Sequence, residues 1–216
     1  MVARSPRRSR RRRGRPTEVN ALERSLEAIV GHLHRLDCRF ALVGGLAVSA
    51  RAEPRLTRDA DLAVAVRDDR EAEALVLELR SVGYEVAASV EQEHTGRLAT
   101  VRLVPRDPED RLVTDLLFAS SGVEPEIVAA AEEIEVVPGV SVPVATTGHL
   151  IAMKLLARDD RQRPADADDL GALAAVAQDH DWIEATTAVR LIVERGFARD
   201  RDLVAALDRL RRDGAY

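Results

Sequence analysis

The apolar pattern of this chain changes period at residue 146, and that change limits the folds open to it. Between Phe40 and Ala145 the apolar residues fall in short runs cut by glycine, proline and aspartate. These runs are Phe40 to Val43, Asp59 to Val66, Tyr84 to Val90, Leu98 to Val104, Leu112 to Phe118, Ile134 to Val137 and Val142 to Ala145. Runs of that length bounded by turn residues read as strands. The turn Pro105-Arg106-Asp107-Pro108-Glu109-Asp110 predicts a hairpin between two of them. Helical spacing interleaves: an apolar stripe Leu22, Leu26, Ile29, Val30, Leu33 and Leu36, a short helix from Leu46 to Ala52, a helix over residues 69–82 and a helical piece from Pro125 to Ala131. From Thr146 onward only helical stripes occur, over 149–157, 165–178, 182–195 and 200–211. The pattern predicts an α+β chain, with a sheet domain over 18–145 and a helical bundle over 146–216.

Residues 1–17 stand apart. The first fifteen hold eight arginines (Arg4, Arg7, Arg8, Arg10 to Arg13 and Arg15) and no acid; with these set aside from the net charge of −5, the rest of the chain carries −13. A block of like charge spaced by Ser, Pro and Gly cannot bury a core and reads as a disordered tail. As an electrostatic arm it would meet nucleic-acid phosphates; otherwise it is a solvated extension. No window approaches ~18 uninterrupted apolar residues, which excludes a transmembrane helix. The N-terminal charges are followed by no apolar segment, and the single cysteine, Cys38, excludes a disulfide framework and a Cys-based zinc site. The expectation is a soluble, cytoplasmic protein with no membrane partner.

Chemistry concentrates in Val43-Gly44-Gly45-Leu46 and in Arg55-Leu56-Thr57-Arg58-Asp59-Ala60-Asp61-Leu62. A strand ending in Gly-Gly before a helix lets backbone N–H groups approach a phosphate and aims a helix N-terminus at it. Asp59 and Asp61, at i and i+2 of a strand, share one face. Two carboxylates side by side are costly unless a hard cation lies between them, and Mg²⁺ with a triphosphate suits that pair. Asp115, alone in the apolar strand from Leu112 to Phe118, would cost several kcal/mol if buried without a partner. Lys154, the sole lysine of the chain, lies in a helix that is apolar almost all round. If that helix ends near Arg158 and the next begins near Ala165, Lys154 and Asp169 each stand about four residues, ~6 Å, from the turn and face each other.

These residues resemble the AbiEii/AbiGii (MenT-like) nucleotidyltransferase toxins of the DNA polymerase β-type nucleotidyltransferase superfamily. The resemblance runs from Gly44-Gly45 through Arg55-x-Thr57-x-Asp59-x-Asp61 and Lys154 to Arg163-x-x-Asp166-x-x-Asp169-Leu170. Ala165 departs from it, standing where relatives often carry a lysine. The resemblance implies a polymerase β-like sheet domain and a two-metal Mg²⁺ site held by Asp59, Asp61 and Asp115. It further implies a triphosphate cradled by Gly44 and Gly45 and held by Arg55 and Lys154, and a functional acid at Asp169. The expected reaction moves a nucleoside monophosphate from an NTP to the 3′ end of tRNA, blocking aminoacylation and translation, with a cognate antitoxin as partner. Kinase-like antitoxins occur in the family, which marks Thr57 as a regulatory phosphosite, because residues 55, 57, 59 and 61 share a face if the segment is extended. Transfer to a small molecule or a protein hydroxyl, and a catalytically silent nucleotide- or RNA-binding module, are the alternatives.

Overall fold

The computed structural model describes residues 18–53, 57, 59–93, 95–107, 110, 112–157 and 165–214. The Arg-rich segment 1–17 and the candidates Arg55 and Arg163 lie outside them. Helix α1 (Glu18–Arg35) leads into β1 (Phe40–Val43), α2 (Gly44–Arg51), β2 (Asp59–Val64), α3 (Asp69–Ser81), β3 (Tyr84–Glu91), β4 (Leu98–Pro105) and β5 (Val113–Leu117). Next come α4 (Glu124–Ala130), β6 (Glu132–Val137), β7 (Val140–Val144), and four helices, α5 (Thr147–Ala157), α6 (Ala165–Val176), α7 (Asp179–Glu194) and α8 (Leu203–Asp213). The expected α+β class is observed.

The strands form one mixed sheet in the order β3-β4-β5-β2-β1-β7-β6. The hairpin predicted around the Pro/Asp turn is present as the antiparallel pair β4–β5. β2 pairs antiparallel with β1 and parallel with β5, which places the central strands between neighbours on both sides. All four residues of β1 are buried, as a central strand covered on both faces requires.

Local chemistry sets the boundaries. Asp68 caps α3 by accepting from the Glu71 N–H, and Asp202 caps α8 through the Ala205 N–H. A capping box of Gln178 and Asp181 starts α7 at Asp179, three residues before the expected Trp182. Leu36, expected on the α1 stripe, is 38% exposed because the helix has already ended at Arg35. The other interior members of that stripe, Leu26, Ile29, Val30 and Leu33, are buried.

Buried apolar side chains from α1 to α8 join in one cluster, so the helices after β7 share a core with the sheet. Arg51, at the end of α2, donates from Nε to the Ala145 carbonyl (3.0 Å) and from Nη2 to the Val144 carbonyl (3.1 Å), which ties α2 to the end of β7. α5 packs so tightly on α7 that a Cβ at Gly148 would lie 2.5 Å from the Asp181 carbonyl oxygen. His149 of α5, buried, contacts Glu184 of α7 at 3.2 Å, and the Thr146 hydroxyl bonds both His149 Nδ1 (2.8 Å) and Glu184. Among the described residues, no helix is long and apolar enough to cross a membrane.

Candidate nucleotidyl-transfer site

The site is assembled by strand register. In the antiparallel pair β1–β2, Val43 stands opposite Asp61, so the chain leaves β1 into α2 at the level of that carboxylate. Gly44 adopts φ +66°, a conformation that a Cβ disfavours. Glycine is needed there a second time: a Cβ at Gly44 would lie 1.8 Å from Asp61 Oδ2. The Gly44 backbone therefore carries the Asp61 carboxylate against it, and Gly45 follows as a buried residue in the first turn of α2. The N-cap residue of α2 is Val43, whose apolar side chain makes no capping hydrogen bond. The helix begins at Gly44, two residues earlier than the apolar pattern indicated, because the glycines themselves form its first turn.

β2 and β5 run parallel with Asp61 opposite Asp115, and β4 and β5 run antiparallel with Arg102 opposite Asp115. Asp59, Asp61, Asp115 and Arg102 thus share one face of the sheet. Asp115 is 8% exposed. Arg102 closes a fork on it, Nε to Oδ1 at 2.8 Å and Nη2 to Oδ2 at 2.6 Å. These bonds and the Asp115 charge, with Asp59 and Asp61 adding to them, raise the Arg102 pKa above its ordinary value and hold it charged. Asp59 is exposed and accepts from the Thr57 hydroxyl at 3.2 Å. Thr57 therefore stands beside the acid pair.

A cleft of about 560 Å³ opens over this face. Asp61, Arg102 and Asp115 line its polar side, and Val90, Leu117, Met153 and Leu156 line much of its apolar side. Arg199 also lines it, held in a left-handed backbone conformation (φ +52°) and donating to the Ser120 carbonyl at 3.0 Å.

Lys154 meets the acid expected of it. Its Nζ lies 2.7 Å from Asp169 Oδ2, across the α5–α6 pair, and 2.8 Å from Asp166 Oδ1. All three side chains are nearly excluded from solvent, and Asp166 Oδ2 is buried without a hydrogen-bond partner. Lys154 is directed into α6 rather than into the cleft, whose α5 lining is Met153, Leu156 and Ala157. Of the sequence candidates, the structure brings together Gly44, Thr57, Asp59, Asp61 and Asp115. It sets Lys154 and Asp169 in a neighbouring ion cluster, and Arg55 lies outside the described residues.

The sequence motifs do not include Arg102. A signal for it exists: it is the one charge in the apolar run Leu98 to Val104, and the hairpin turn pairs it with the one charge of the next strand. Among the described residues, no three acid, histidine or cysteine side chains are gathered closely enough to hold a metal ion. Asp115 is engaged by Arg102 instead.

Solved structures similar to the chain include the following three. One is the lincomycin-bound lincosamide antibiotic adenylyltransferase LnuA, at 13% identity, covering 72% of this chain and 98% of that one with a TM-score of 0.46. Another is JHP933 from Helicobacter pylori, at 20% identity, 90% of each chain and a TM-score of 0.41. The third is the nucleotidyltransferase toxin MenT4 from Mycobacterium tuberculosis, at 19% identity, 81% of this chain and 66% of that one, with a TM-score of 0.44. No curated protein matches the chain. Residues 28–214 match the family model described as nucleotidyl transferase AbiEii toxin of type IV toxin–antitoxin systems, and the chain belongs to that nucleotidyltransferase toxin family.

Proposed function

We propose that the protein is a Mg²⁺-dependent toxin that transfers a nucleoside monophosphate from an NTP to the 3′ hydroxyl of tRNA. The observation that carries this reading is the register that aligns Asp59, Asp61 and Asp115 on one face, with the Gly44 backbone against Asp61. The donor set fits the metal: hard carboxylate oxygens at i and i+2, with a third acid on the adjacent strand, are what Mg²⁺ takes. Asp59 and Asp61 would hold it, and Asp115 joins them when Arg102 releases it. Magnesium bound there would neutralise the triphosphate and raise the reactivity of the attacking hydroxyl.

The chain's own groups supply the rest. The backbone amides at the start of α2 would offer donors to the triphosphate, and the helix dipole favours its charge. In the reaction the acceptor 3′ oxygen bonds to the α-phosphorus, the bond from that phosphorus to the oxygen bridging to the β-phosphate breaks, and pyrophosphate leaves. Asp115, once free of Arg102, would accept the hydroxyl proton. Lys154, between Asp166 and Asp169, ties α5 to α6 beside the cleft. Blocking the tRNA 3′ end would stop aminoacylation, which gives a cytoplasmic toxin held in check by a cognate antitoxin. A phosphate on Thr57 would add ≈ −1.5 to −2 charge beside Asp59 and repel the triphosphate, which is a route for a kinase-like antitoxin.

The test is incubation with each labelled NTP, Mg²⁺ and total cellular RNA. The reading expects label in tRNA, lost in Asp59→Ala and in Asp61→Ala at unchanged thermal stability. Label entering protein or a small molecule instead would replace the acceptor. Undiminished transfer by either variant would remove the metal assignment.

A further inference from the structure

The fork between Arg102 and Asp115 sets a puzzle for the proposed transfer: the acid that should serve the reaction already has both oxygens engaged by a protein cation. The two partners are unequal. The Asp115 side chain is 11% exposed and fixed by the sheet, whereas that of Arg102 is 49% exposed and reaches into the cleft from β4. A long, half-exposed side chain has other rotamers open to it and a buried strand carboxylate does not, so the arginine is the partner that moves once another cation takes its place on Asp115.

Strand order tells where the arginine would go. Along the sheet the order is β4, β5, β2, β1, carrying Arg102, Asp115, Asp61 and, at the end of β1, Gly44. At ~4.8 Å per strand, Arg102 stands about 14 Å from the glycine end of the site. A triphosphate held at the start of α2 occupies the opposite side of the acids. The side of the cleft that Arg102 commands is left to the acceptor, with Val90, Leu117 and Met153 supplying apolar surface beside it.

We infer that Arg102 is an acceptor-binding residue that exchanges between two anions: Asp115 while the acids hold no cation, and a backbone phosphate of the RNA acceptor once they do. Resting on the metal reading above, this makes loading of the acids and capture of the acceptor one coupled step. Divalent cation and guanidinium compete for Asp115; the displaced guanidinium is a planar, permanently charged fork suited to a phosphodiester. The acceptor class it selects is a nucleic-acid end bearing a phosphate next to its terminal nucleoside, as opposed to an uncharged small molecule.

The test uses the full chain, Mn²⁺ as the metal probe followed by electron paramagnetic resonance, and a short RNA with a free 3′ hydroxyl as acceptor. Arg102→Ala is expected to bind Mn²⁺ about tenfold tighter than wild type, as removal of one competing charge-assisted pair allows. The same variant raises KM for the RNA by roughly tenfold and leaves KM for the NTP within about twofold. Arg102→Lys, which keeps the charge and loses the fork, falls between. Unchanged or weaker Mn²⁺ binding in Arg102→Ala, with binding lost in Asp61→Ala, overturns the exchange alone. A KM increase that falls on the NTP overturns the acceptor assignment. If Asp61→Ala binds Mn²⁺ as wild type does, the inference falls together with the metal reading beneath it.

Discussion

Replacing Lys154 with methionine tests whether the ion cluster between α5 and α6 is a structural element. The side chains of Lys154, Asp166 and Asp169 are 12%, 6% and 2% exposed, and one ammonium serves both carboxylates. Methionine fills much the same volume, so the change removes charge with little loss of packing. It leaves two buried carboxylates without their cation, and breaking a buried pair from one side costs about 3–5 kcal/mol. For a chain of this size each kcal/mol lowers the melting temperature by roughly 2–4 °C, so the expected drop is roughly 6–20 °C. Two companions make the result specific. Lys154→Arg keeps a cation and is expected to keep most of the stability, yet the planar guanidinium does not reproduce the compact ammonium between two acids, so transfer is lost. Asp166→Asn removes the acid whose second oxygen is already unpartnered and is expected to cost within about 1 kcal/mol. Thermal and urea melts followed by circular dichroism at neutral pH provide the readout. If Lys154→Met melts within about 2 °C of wild type, by the same conversion it has lost less than the cost of one broken buried pair, and the argument fails.

Gly44→Ala is expected to abolish transfer and cost at least about 1–2 kcal/mol, since φ +66° disfavours a side chain and the new Cβ would displace the Asp61 carboxylate; a normally active Gly44→Ala would show that Asp61 need not sit against that backbone. Glu184→Gln addresses pH. Burial raises the Glu184 pKa, but hydrogen bonds from His149 and Thr146 together with nearby histidine charge outweigh it, and the value is lowered from 4.5. A lowered folded-state pKa means that stability is present above 4.5 and lost as the pH falls through the folded value. Wild type should therefore be the more stable at neutral pH and converge on Glu184→Gln on acidification, by urea midpoints; parallel pH profiles would contradict this.

Along the chain, short apolar runs and turn residues locate every strand of the sheet to within a few residues, because a strand is short and must be punctuated by residues that turn the chain. The same local rules place Asp59 and Asp61 on one face and put Lys154 level with Asp169, since i, i+2 spacing and helical rise are properties of the backbone alone. Strand order is a different matter. That β2 lies between β1 and β5, bringing Asp115 of a distant segment opposite Asp61, follows from long-range pairing that no local pattern encodes. The partner of a charge is likewise a tertiary outcome. Asp115 read as an acid awaiting a cation, and the fold supplied one from β4, because the hairpin register sets Arg102 across from it. Asp166 joined Lys154 for the same kind of reason: it lies on the α6 face that packs on α5, and in a buried contact the carboxylates that share a cation are decided by which helix faces meet.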